Sequence, residues 1–272
     1  LIQKLIQSGE FFENPVLKRI IENCVLHDTP LHLLGLLSNG NIHSHVDHSE
    51  ALIRHAFQAG IRRCYLHALL DGRDVGVQSA LDYTEPFEQL FSELKSQRTD
   101  IDYAFASGGG REVVTMDRDN NWKKVEAGWK VHVKGDSENR FPSIRNAIEH
   151  FRKLDPEIID QDIPGFVIVR NGEAVTKIED QHALIFTNFR SDRASEFTEA
   201  ILADDFPHFE RKARPKVMFA GMTQYDQDNK IPPDFLAGTP EVDDPFGKRI
   251  LELGLKQFRL TETQKFAHVT FF

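Results

Sequence analysis

The chain has 272 residues, of which 40% are hydrophobic, so it can bury a substantial core in one large domain or two small ones. Its formal net charge of -9 and its scattered basic residues argue against an extended polyanion such as nucleic acid as a partner. The longest apolar runs reach about seven residues, far fewer than the roughly 20 needed to span a bilayer, so no membrane association is predicted.

Cysteine usage and the chain ends indicate where such a protein works. Cys24 and Cys64 have neither the number nor the spacing of a disulfide framework or a structural zinc site, so we expect two buried thiols. The N-terminus lacks the apolar core of a signal peptide, which favours a cytoplasmic location. The chain starts at Leu1 without an initiator methionine and ends on the apolar run HVTFF, as expected of a segment of a longer protein.

Short apolar runs rich in β-formers alternate with segments of helical period, which predicts an α/β fold with a largely parallel sheet flanked by helices in three layers, α/β/α. Strands are predicted at residues 31–37, 61–70, 102–108, 166–170, 183–187, 216–222 and 257–262. Helices are predicted at residues 49–60, 81–94, 121–133, 143–154, 191–202 and 248–253. The Pro- and Asp-rich residues 226–244 are expected to form a long loop.

Polar loops follow five of the predicted strands, and each of these loops contains a cation or a histidine. Ligands of open α/β sheets bind beyond the carboxyl ends of the strands, so these loops are candidates for one site. Their sequences are SNGNIHSHVDH, DGRD, SGGGREVVTMDRD, NFRSDR and ETQK.

Each loop is weak evidence when taken alone. An arginine beside an aspartate is more often a solvated ion pair than a ligand contact. SGGG resembles a phosphate-binding loop but has neither the Walker spacing nor the dinucleotide spacing. Six cations at one sheet edge of an acidic protein nevertheless predict a bound anion with several oxygens, such as a carboxylate or phosphate. The six are Arg73, Arg111, Arg118, Arg190, Arg193 and Lys265.

Three histidines in the first loop, His43, His45 and His48, admit two interpretations. A His-x-His pair after an early strand is typical of metal-dependent hydrolases, but such a site also needs ligands at later strand ends. The remaining histidines are scattered through helix, strand and loop patterns, so a metal site is the less favoured interpretation. His45 and His48, near a helix start, are expected to be structural or capping residues.

The five loop sequences, in this order, closely resemble those of the cofactor-independent (2,3-bisphosphoglycerate-independent) phosphoglycerate mutases of the alkaline phosphatase superfamily. In that family, a phosphatase-like domain with a serine nucleophile and two Mn²⁺ ions carries an inserted phosphotransferase domain that binds substrate. The resemblance implies that this chain is the inserted domain, with the serine and the metal ligands outside it and with no requirement for 2,3-bisphosphoglycerate. It further implies a linker at residues 1–12, the substrate-binding domain at 13–260, and the return into the phosphatase-like domain at 261–272.

The implied activity is that of an isomerase of glycolysis and gluconeogenesis, which interconverts 3-phosphoglycerate and 2-phosphoglycerate through a phosphoserine. The chain alone is expected to be inactive. Its implied substrate contacts are His43, Arg73, Asp74, Arg111, Arg118, Arg190, Arg193 and Lys265. Among these, Asp74 is the candidate proton acceptor and His43 its assistant, so both are candidate catalytic residues.

The first loop departs from the family pattern SDGGVHSH at Asn39 and Asn41, which replace an aspartate and a glycine. Asparagine tolerates the left-handed backbone that glycine supplies, so we expect the loop to keep its shape. Two alternatives stay open at this point. One is a metal-dependent hydrolase that uses the HSH histidines, and the other is a non-catalytic anion-binding domain.

Overall fold

The structure is a computed structural model that describes residues 1–238, 244–263 and 269. The chain divides into two units, Leu1–Gly238 and Thr239–Phe272. Within the described residues, no helix has both the length and the apolar composition that crossing a membrane would require.

One eight-stranded sheet forms the centre of the first unit. Its strands are β1 (Leu31–Leu37), β2 (Arg63–Leu70), β3 (Asp102–Gly110), β4 (Arg140–Phe141), β5 (Phe166–Arg170), β6 (Glu173–Ala174), β7 (Ala183–Phe186) and β8 (Met218–Gly221). The strand order is β4-β5-β3-β2-β1-β7-β8, and β6 pairs with β5. Along this order all neighbours are parallel except β3 and β5, which confirms the predicted, largely parallel sheet.

Helices cover both faces of this sheet. They are α1 (Ile2–Ser8), α2 (Pro15–His27), α3 (Val46–Gln58), α4 (Ala80–Gln97), α5 (Trp122–Gly128), α6 (Ile144–Leu154) and α7 (Ser195–Leu202). A π-helical turn, Trp129–Val133, continues α5, and 3-10 turns lie at Glu10–Glu13, Asp160–Asp162 and Ser191–Arg193. In the second unit, α8 spans Phe246–Glu252.

Strand β1 shows how the sequence creates the three layers. All seven residues of LHLLGLL are buried, as expected of a central strand with both faces covered. Because side chains alternate along a strand, Leu31, Leu33 and Leu37 pack into the core shared with α2, α3, α4 and α6. Leu34 and Leu36 pack into a second core with α5 and α7. The α/β/α layers predicted from the sequence are therefore present.

The two thiols are buried and free, as predicted. Burial raises the pKa of the Cys24 thiol to about 11, so at neutral pH it is an inert apolar group.

One segment differs from the sequence-based expectation. Residues 257–262 form no strand; they are irregular, and Phe258 is 87% exposed. A strand needs a neighbour for its backbone groups, and the described residues of its unit contain no other strand. The prediction of this strand was therefore wrong.

The N-terminal segment is helical and packs into the core. Residues 1–12, predicted to be a linker, contain α1 and part of a 3-10 turn, with Ile2 and Phe11 buried in the core. Helix α2 follows, and Asn14 is its N-cap, because the Asn14 side chain accepts hydrogen bonds from the N–H groups of Val16 (2.8 Å) and Leu17 (3.1 Å). Pro15 occupies the first helical position, where a missing N–H does no harm.

Candidate functional site

The loops after β1, β2, β3 and β7 meet at one edge of the sheet. These four strands are parallel neighbours, so their carboxyl ends point the same way. Ser38, Asp71 and Arg111 each follow directly on a strand end, and Asn188 follows two residues after β7. The edge is the position at which open α/β sheets bind ligands.

A buried ion cluster lies at the centre of this edge. The Arg111 guanidinium donates through Nη1 to Asp71 Oδ1 at 2.7 Å and to Asp74 Oδ2 at 2.5 Å. Ser38 Oγ donates to Asp71 Oδ2 at 2.6 Å. The side chains of Arg111 and Asp71 are 2% and 1% exposed, so two opposite charges compensate each other away from water.

The hydrogen bonds of this cluster keep it ionised. Burial alone would raise the pKa of Asp71, but hydrogen bonds from Ser38, from the Asp74 N–H and from Arg111 outweigh it and lower this pKa. Burial would lower the pKa of Arg111, yet its contacts with Asp74 and Asp71 raise it. The cluster therefore fixes Asp74 beside a permanent positive charge.

A second group of cations surrounds Glu112. Its Oε1 lies 2.8 Å from Arg193 Nη1 and 3.2 Å from Arg73 Nη1, and its Oε2 lies 3.2 Å from Lys124 Nζ. Arg193 Nη1 also donates to the Met116 carbonyl at 3.2 Å. The Arg193 side chain is buried, whereas that of Arg73 is half-exposed.

A third group surrounds Asp192. Its Oδ2 lies 2.8 Å from Arg190 Nη2 and 3.8 Å from Arg118 Nη1. Its Oδ1 faces His43 Nδ1 at 3.6 Å, and both of these buried atoms lack a hydrogen-bond partner. Two polar atoms that face each other just beyond bonding distance can be brought together by a small closing movement.

His43 is neutral at physiological pH. Burial, with the positive charge of Arg111 second, lowers its pKa to about 4, although Asp192 opposes this shift. The His43 carbonyl accepts from the Phe189 N–H at 2.7 Å, which ties the first loop to the loop after β7. A neutral imidazole in this position can accept or donate a single hydrogen bond to a ligand.

The other two histidines of the loop have structural roles, as expected. The His45 side chain caps α3 by accepting from the Asp47 N–H at 3.2 Å. His48 is buried in the first turn of α3, with its ring 6.0 Å from that of Phe189. Each of the two rings thus has a structural position at the start of α3.

The substituted first loop keeps a defined shape. Asn41 has a φ of 56°, in the left-handed region, which confirms the expectation that asparagine can replace glycine there. The Asn39 side chain accepts from the Tyr83 hydroxyl at 2.8 Å. At Gly40, a Cβ atom would lie 3.0 Å from the Asp74 side chain, so the loop closes directly over the buried ion cluster.

The glycine run does not form a phosphate cradle. Gly108, Gly109 and Gly110 belong to the buried strand β3 rather than to a loop. A Cβ at Gly110 would lie 2.1 Å from the Gln161 carbonyl oxygen, and one at Gly108 would lie 2.5 Å from the Phe166 ring. The run is needed for close packing of β3, so the resemblance of SGGG to a phosphate-binding loop, already weak for lack of the Walker or dinucleotide spacing, has no structural counterpart.

The predicted site residues gather at this edge as far as the structure describes them. Lys265 lies outside the described residues. The carboxylates of Asp71, Glu112 and Asp192 connect the other predicted contact residues into three groups. These contact residues are His43, Arg73, Asp74, Arg111, Arg118, Arg190 and Arg193.

The pairing carboxylates were missed by sequence reasoning. Asp71 and Asp192 lie within the quoted motifs, and Glu112 directly follows Arg111, but each resembles half of a solvated ion pair. The number of arginines could have indicated these carboxylates, because cations gathered at a buried edge require negative charges beside them.

The described residues offer no metal site. Among them, no group of three or more His, Cys, Asp or Glu side chains could hold a metal ion. These residues therefore do not fit a resident manganese ion, and the hydrolase interpretation of the HSH motif gains no support from them.

The whole chain is similar to proteins of one known family. Residues 2–227 match the family described as BPG-independent PGAM N-terminus. A probable 2,3-bisphosphoglycerate-independent phosphoglycerate mutase from Leptospira interrogans is 47% identical over 100% of this chain, and 49% of that protein is covered. A 2,3-bisphosphoglycerate-independent phosphoglycerate mutase from Prunus dulcis is 38% identical over 100% of this chain, with 55% of that protein covered.

The fold comparison gives the same result. Phosphoglycerate mutase from Leishmania mexicana matches with a TM-score of 0.89 and 39% identity, covering 100% of this chain and 49% of that one. The chain spans about half the length of the curated relatives it matches. The match over residues 2–227 shows that the chain belongs to the family of 2,3-bisphosphoglycerate-independent phosphoglycerate mutases, in their N-terminal region.

Proposed function

We propose that this chain is the substrate-binding part of a phosphoglycerate mutase that interconverts 3-phosphoglycerate and 2-phosphoglycerate through a phosphoserine. The serine nucleophile and two Mn²⁺ ions would belong to a phosphatase-like domain of the same polypeptide, within the length of the relatives that this chain does not span. The location we propose is the cytoplasm, in keeping with two free, buried thiols.

The observation that carries the proposal is the convergence of guanidinium groups at the sheet edge of an acidic chain. Arg118, Arg190 and Arg73 are partly exposed there, and each still has N–H groups to offer besides those that contact carboxylates. Phosphoglycerate carries a carboxylate and a phosphoryl group, and planar guanidinium groups bind both through paired hydrogen bonds.

The buried ion cluster supplies the proton chemistry in this proposal. Asp74 would take the proton from the glycerate hydroxyl that attacks the phosphoserine and return it in the reverse direction. Arg111, 2.5 Å from Asp74 Oδ2, keeps this carboxylate in place beside the loop that closes over it. His43 would support the same hydroxyl through one hydrogen bond from its neutral ring.

The arginines would also stabilise charge as it spreads over the phosphoryl oxygens during transfer. Because glycerate must be retained and water kept from the phosphoserine, the two domains would have to close around the ligand. The chain alone would therefore bind phosphoglycerate and turn none over.

Calorimetric titration of the 272-residue chain with 3-phosphoglycerate tests the binding half of this proposal. We expect saturable binding without added metal and at least about a tenfold loss in Arg190→Ala, the size expected for removing a charge-assisted contact. Arg145→Ala is the matched control, since Arg145 is exposed on α6 and pairs with Glu149 on the same helix and with Glu85 on α4. Equal affinities in the two variants, or no binding by folded wild-type chain, would argue against the proposal.

A coupled mutase assay tests the remaining half. We expect no turnover from this chain alone, with or without Mn²⁺. Manganese-dependent turnover by the isolated chain would instead assign the nucleophile and the metal site to residues of this chain. Binding by the chain, together with inactivity of the longer protein containing it, would favour a non-catalytic anion-binding domain.

A further inference from the structure

Glu112 is the carboxylate on which three cations of the site converge. Its Oε1 accepts from Arg193 at 2.8 Å and from Arg73 at 3.2 Å, while Lys124 contacts its Oε2 at 3.2 Å. Two guanidinium groups from different loops are thus held on a single oxygen atom. Glu112 lies within the loop SGGGREVVTMDRD, but the motif resemblance assigns it no contact with substrate.

The main chain and the local charges fix this carboxylate in its ionised form. The Glu112 N–H donates to the Gln161 carbonyl at 3.0 Å, and the preceding residue is the buried Arg111. Burial would raise the pKa of Glu112, but the positive charges of Arg193, Lys124 and Arg73 outweigh it and lower this pKa. Glu112 therefore carries its negative charge throughout the physiological range.

Arg73 depends on this contact more than its neighbours do. Its side chain is 53% exposed, and the ion pair that the described residues provide for it is the one with Glu112. Arg193 is held a second time by the Met116 carbonyl, and Lys124 a second time by Asp117 at 3.4 Å. Without Glu112, repulsion from Arg193 and Lys124 would drive the Arg73 side chain toward solvent.

We propose that Glu112 is a positioning residue that holds Arg73 beside Arg193, so that both present their remaining N–H groups to one anionic group of the ligand. This role rests on the proposed function for the identity of the ligand, a phosphoglycerate. Both arginines contact Glu112 through Nη1, and a guanidinium has further donors on Nε and Nη2. Holding two cations in place before the ligand arrives lowers the entropy lost on binding.

If Glu112 instead competed with the ligand for the two arginines, its substitution would have the opposite effect on ligand affinity. Replacing a competitor by a neutral isostere strengthens anion binding, whereas replacing a positioning carboxylate weakens it. The Glu112→Gln variant separates the two roles, because it keeps the shape and one acceptor oxygen but removes the charge. Glu112→Asp keeps the charge on a shorter side chain and also guards against a folding defect in the first variant.

The first experiment is calorimetric titration of the 272-residue chain and its variants with 3-phosphoglycerate. We expect Glu112→Gln to weaken binding by about tenfold, the size expected for losing charge-assisted hydrogen bonds, and Glu112→Asp to restore part of the loss. Glu126→Gln is the matched control, since Glu126 pairs with Lys130 on the surface of α5. Unchanged or tighter binding in Glu112→Gln would overturn the proposal.

A double-mutant cycle shows whether Glu112 acts through Arg73. If it does, Glu112→Gln combined with Arg73→Ala loses less affinity than the product of the two single losses. Independent, multiplicative losses would mean that Glu112 affects the fold or the ligand directly, and would overturn the positioning role.

A ligand-free measurement keeps this inference separate from the proposed function. Phenylglyoxal modifies accessible guanidinium groups, and mass spectrometry can follow Arg73 in the wild-type chain and in Glu112→Gln. We expect Arg73 to react several-fold faster in the variant, while Arg54, paired with Glu50 on α3, reacts at an unchanged rate. If the wild-type chain does not bind 3-phosphoglycerate, the proposed function fails, and equal modification rates at Arg73 would overturn the role of Glu112 whatever the ligand is.

Discussion

At the sheet edge, His43 lies among arginines and carboxylates, whereas four other histidines, two of them in β1 and β2 and two beside the sheet, form a hydrogen-bonded chain that includes a serine. This inner chain runs across the strands. His32 Nε2 lies 3.0 Å from His182 Nδ1, and His32 Nδ1 lies 3.0 Å from His67 Nε2. Ser107 Oγ then lies 2.7 Å from both His67 Nδ1 and His132 Nδ1.

The comparison shows that charge, and not histidine itself, distinguishes the candidate site. Burial lowers the pKa of His32 and His132 just as it lowers that of His43, so all three rings are neutral. The inner rings can satisfy each other because a neutral imidazole both donates and accepts. At the edge, guanidinium groups and carboxylates remain charged, which suits an ionic ligand and not a structural core.

The largest effect we expect is a loss of folding stability in acid, caused by protonation of the inner histidine chain. Burial lowers the pKa of His67 to about 3, while an unfolded histidine titrates near about 6.5. Below about pH 6.5 the unfolded state binds more protons than the folded state, so stability present at neutral pH is lost as the pH falls. For each such ring, the free energy of unfolding should fall by up to about 1.4 kcal/mol per pH unit. Summed over the histidines of the inner chain, the loss between pH 7 and pH 5 should amount to several kcal/mol.

Urea unfolding at pH 7, 6 and 5 measures this loss. The informative variant is His132→Phe, because His132 Nε2 is buried without a partner and a phenyl ring fills a similar space. With one titrating ring fewer, the variant should lose less stability per pH unit than the wild type. A wild-type chain whose stability does not change between pH 7 and pH 5 would contradict the neutral, buried histidine chain.

The substitution Arg111→Met changes the sheet edge instead, and it should have the next largest effect on folding stability. The substitution keeps most of the apolar stem but leaves Asp71, 1% exposed, without its counter-charge. Breaking a buried pair in this way costs about 3–5 kcal/mol. In urea unfolding at pH 7, Arg145→Met on α6 should change stability by less than about 1 kcal/mol, because its ion pairs are exposed. Equal effects of the two substitutions would show that the Arg111 cluster is not isolated from water.

How far the sequence predicts the fold depends on where a strand lies in the sheet. LHLLGLL is continuously apolar because both faces of β1 are covered, and such a run can be recognised without the structure. Strands β4 and β6 have two residues each, of which one is charged, Arg140 and Glu173, so neither forms an apolar run that a sequence pattern could reveal. Their pairing is decided by the neighbouring β5, which a local sequence pattern does not show.

The candidate site divides in the same way. The arginines can be predicted because they follow strand ends, and the sheet then brings them together. The depth at which each side chain lies cannot be predicted, since Arg111 and Arg118 come from one loop but are 2% and 45% exposed. Burial is also why Glu112 could not be singled out from the sequence, since its partners come from residues far apart in the chain.

Ligand-linked protonation of His43 is the smallest effect we expect. It distinguishes the edge histidine, which would respond to the ligand, from the histidines of the inner chain, which would not. In the free chain the pKa of His43 is lowered to about 4. A bound phosphoryl group would add negative charge beside the ring and raise this pKa, so the complex takes up protons and 3-phosphoglycerate binds more tightly as the pH falls from 7 to 5.

Calorimetry in buffers of different ionisation enthalpy measures this proton uptake, which should be at most about one proton, or about a tenfold gain in affinity per pH unit. The phosphate group of the ligand titrates as well, so His43→Asn provides the reference: its proton uptake reports the ligand alone. His132→Phe should leave the uptake unchanged, because its ring belongs to the inner chain. If His43→Asn takes up as many protons as the wild type, His43 does not face the bound anion, and the edge histidine is as inert toward the ligand as those of the inner chain.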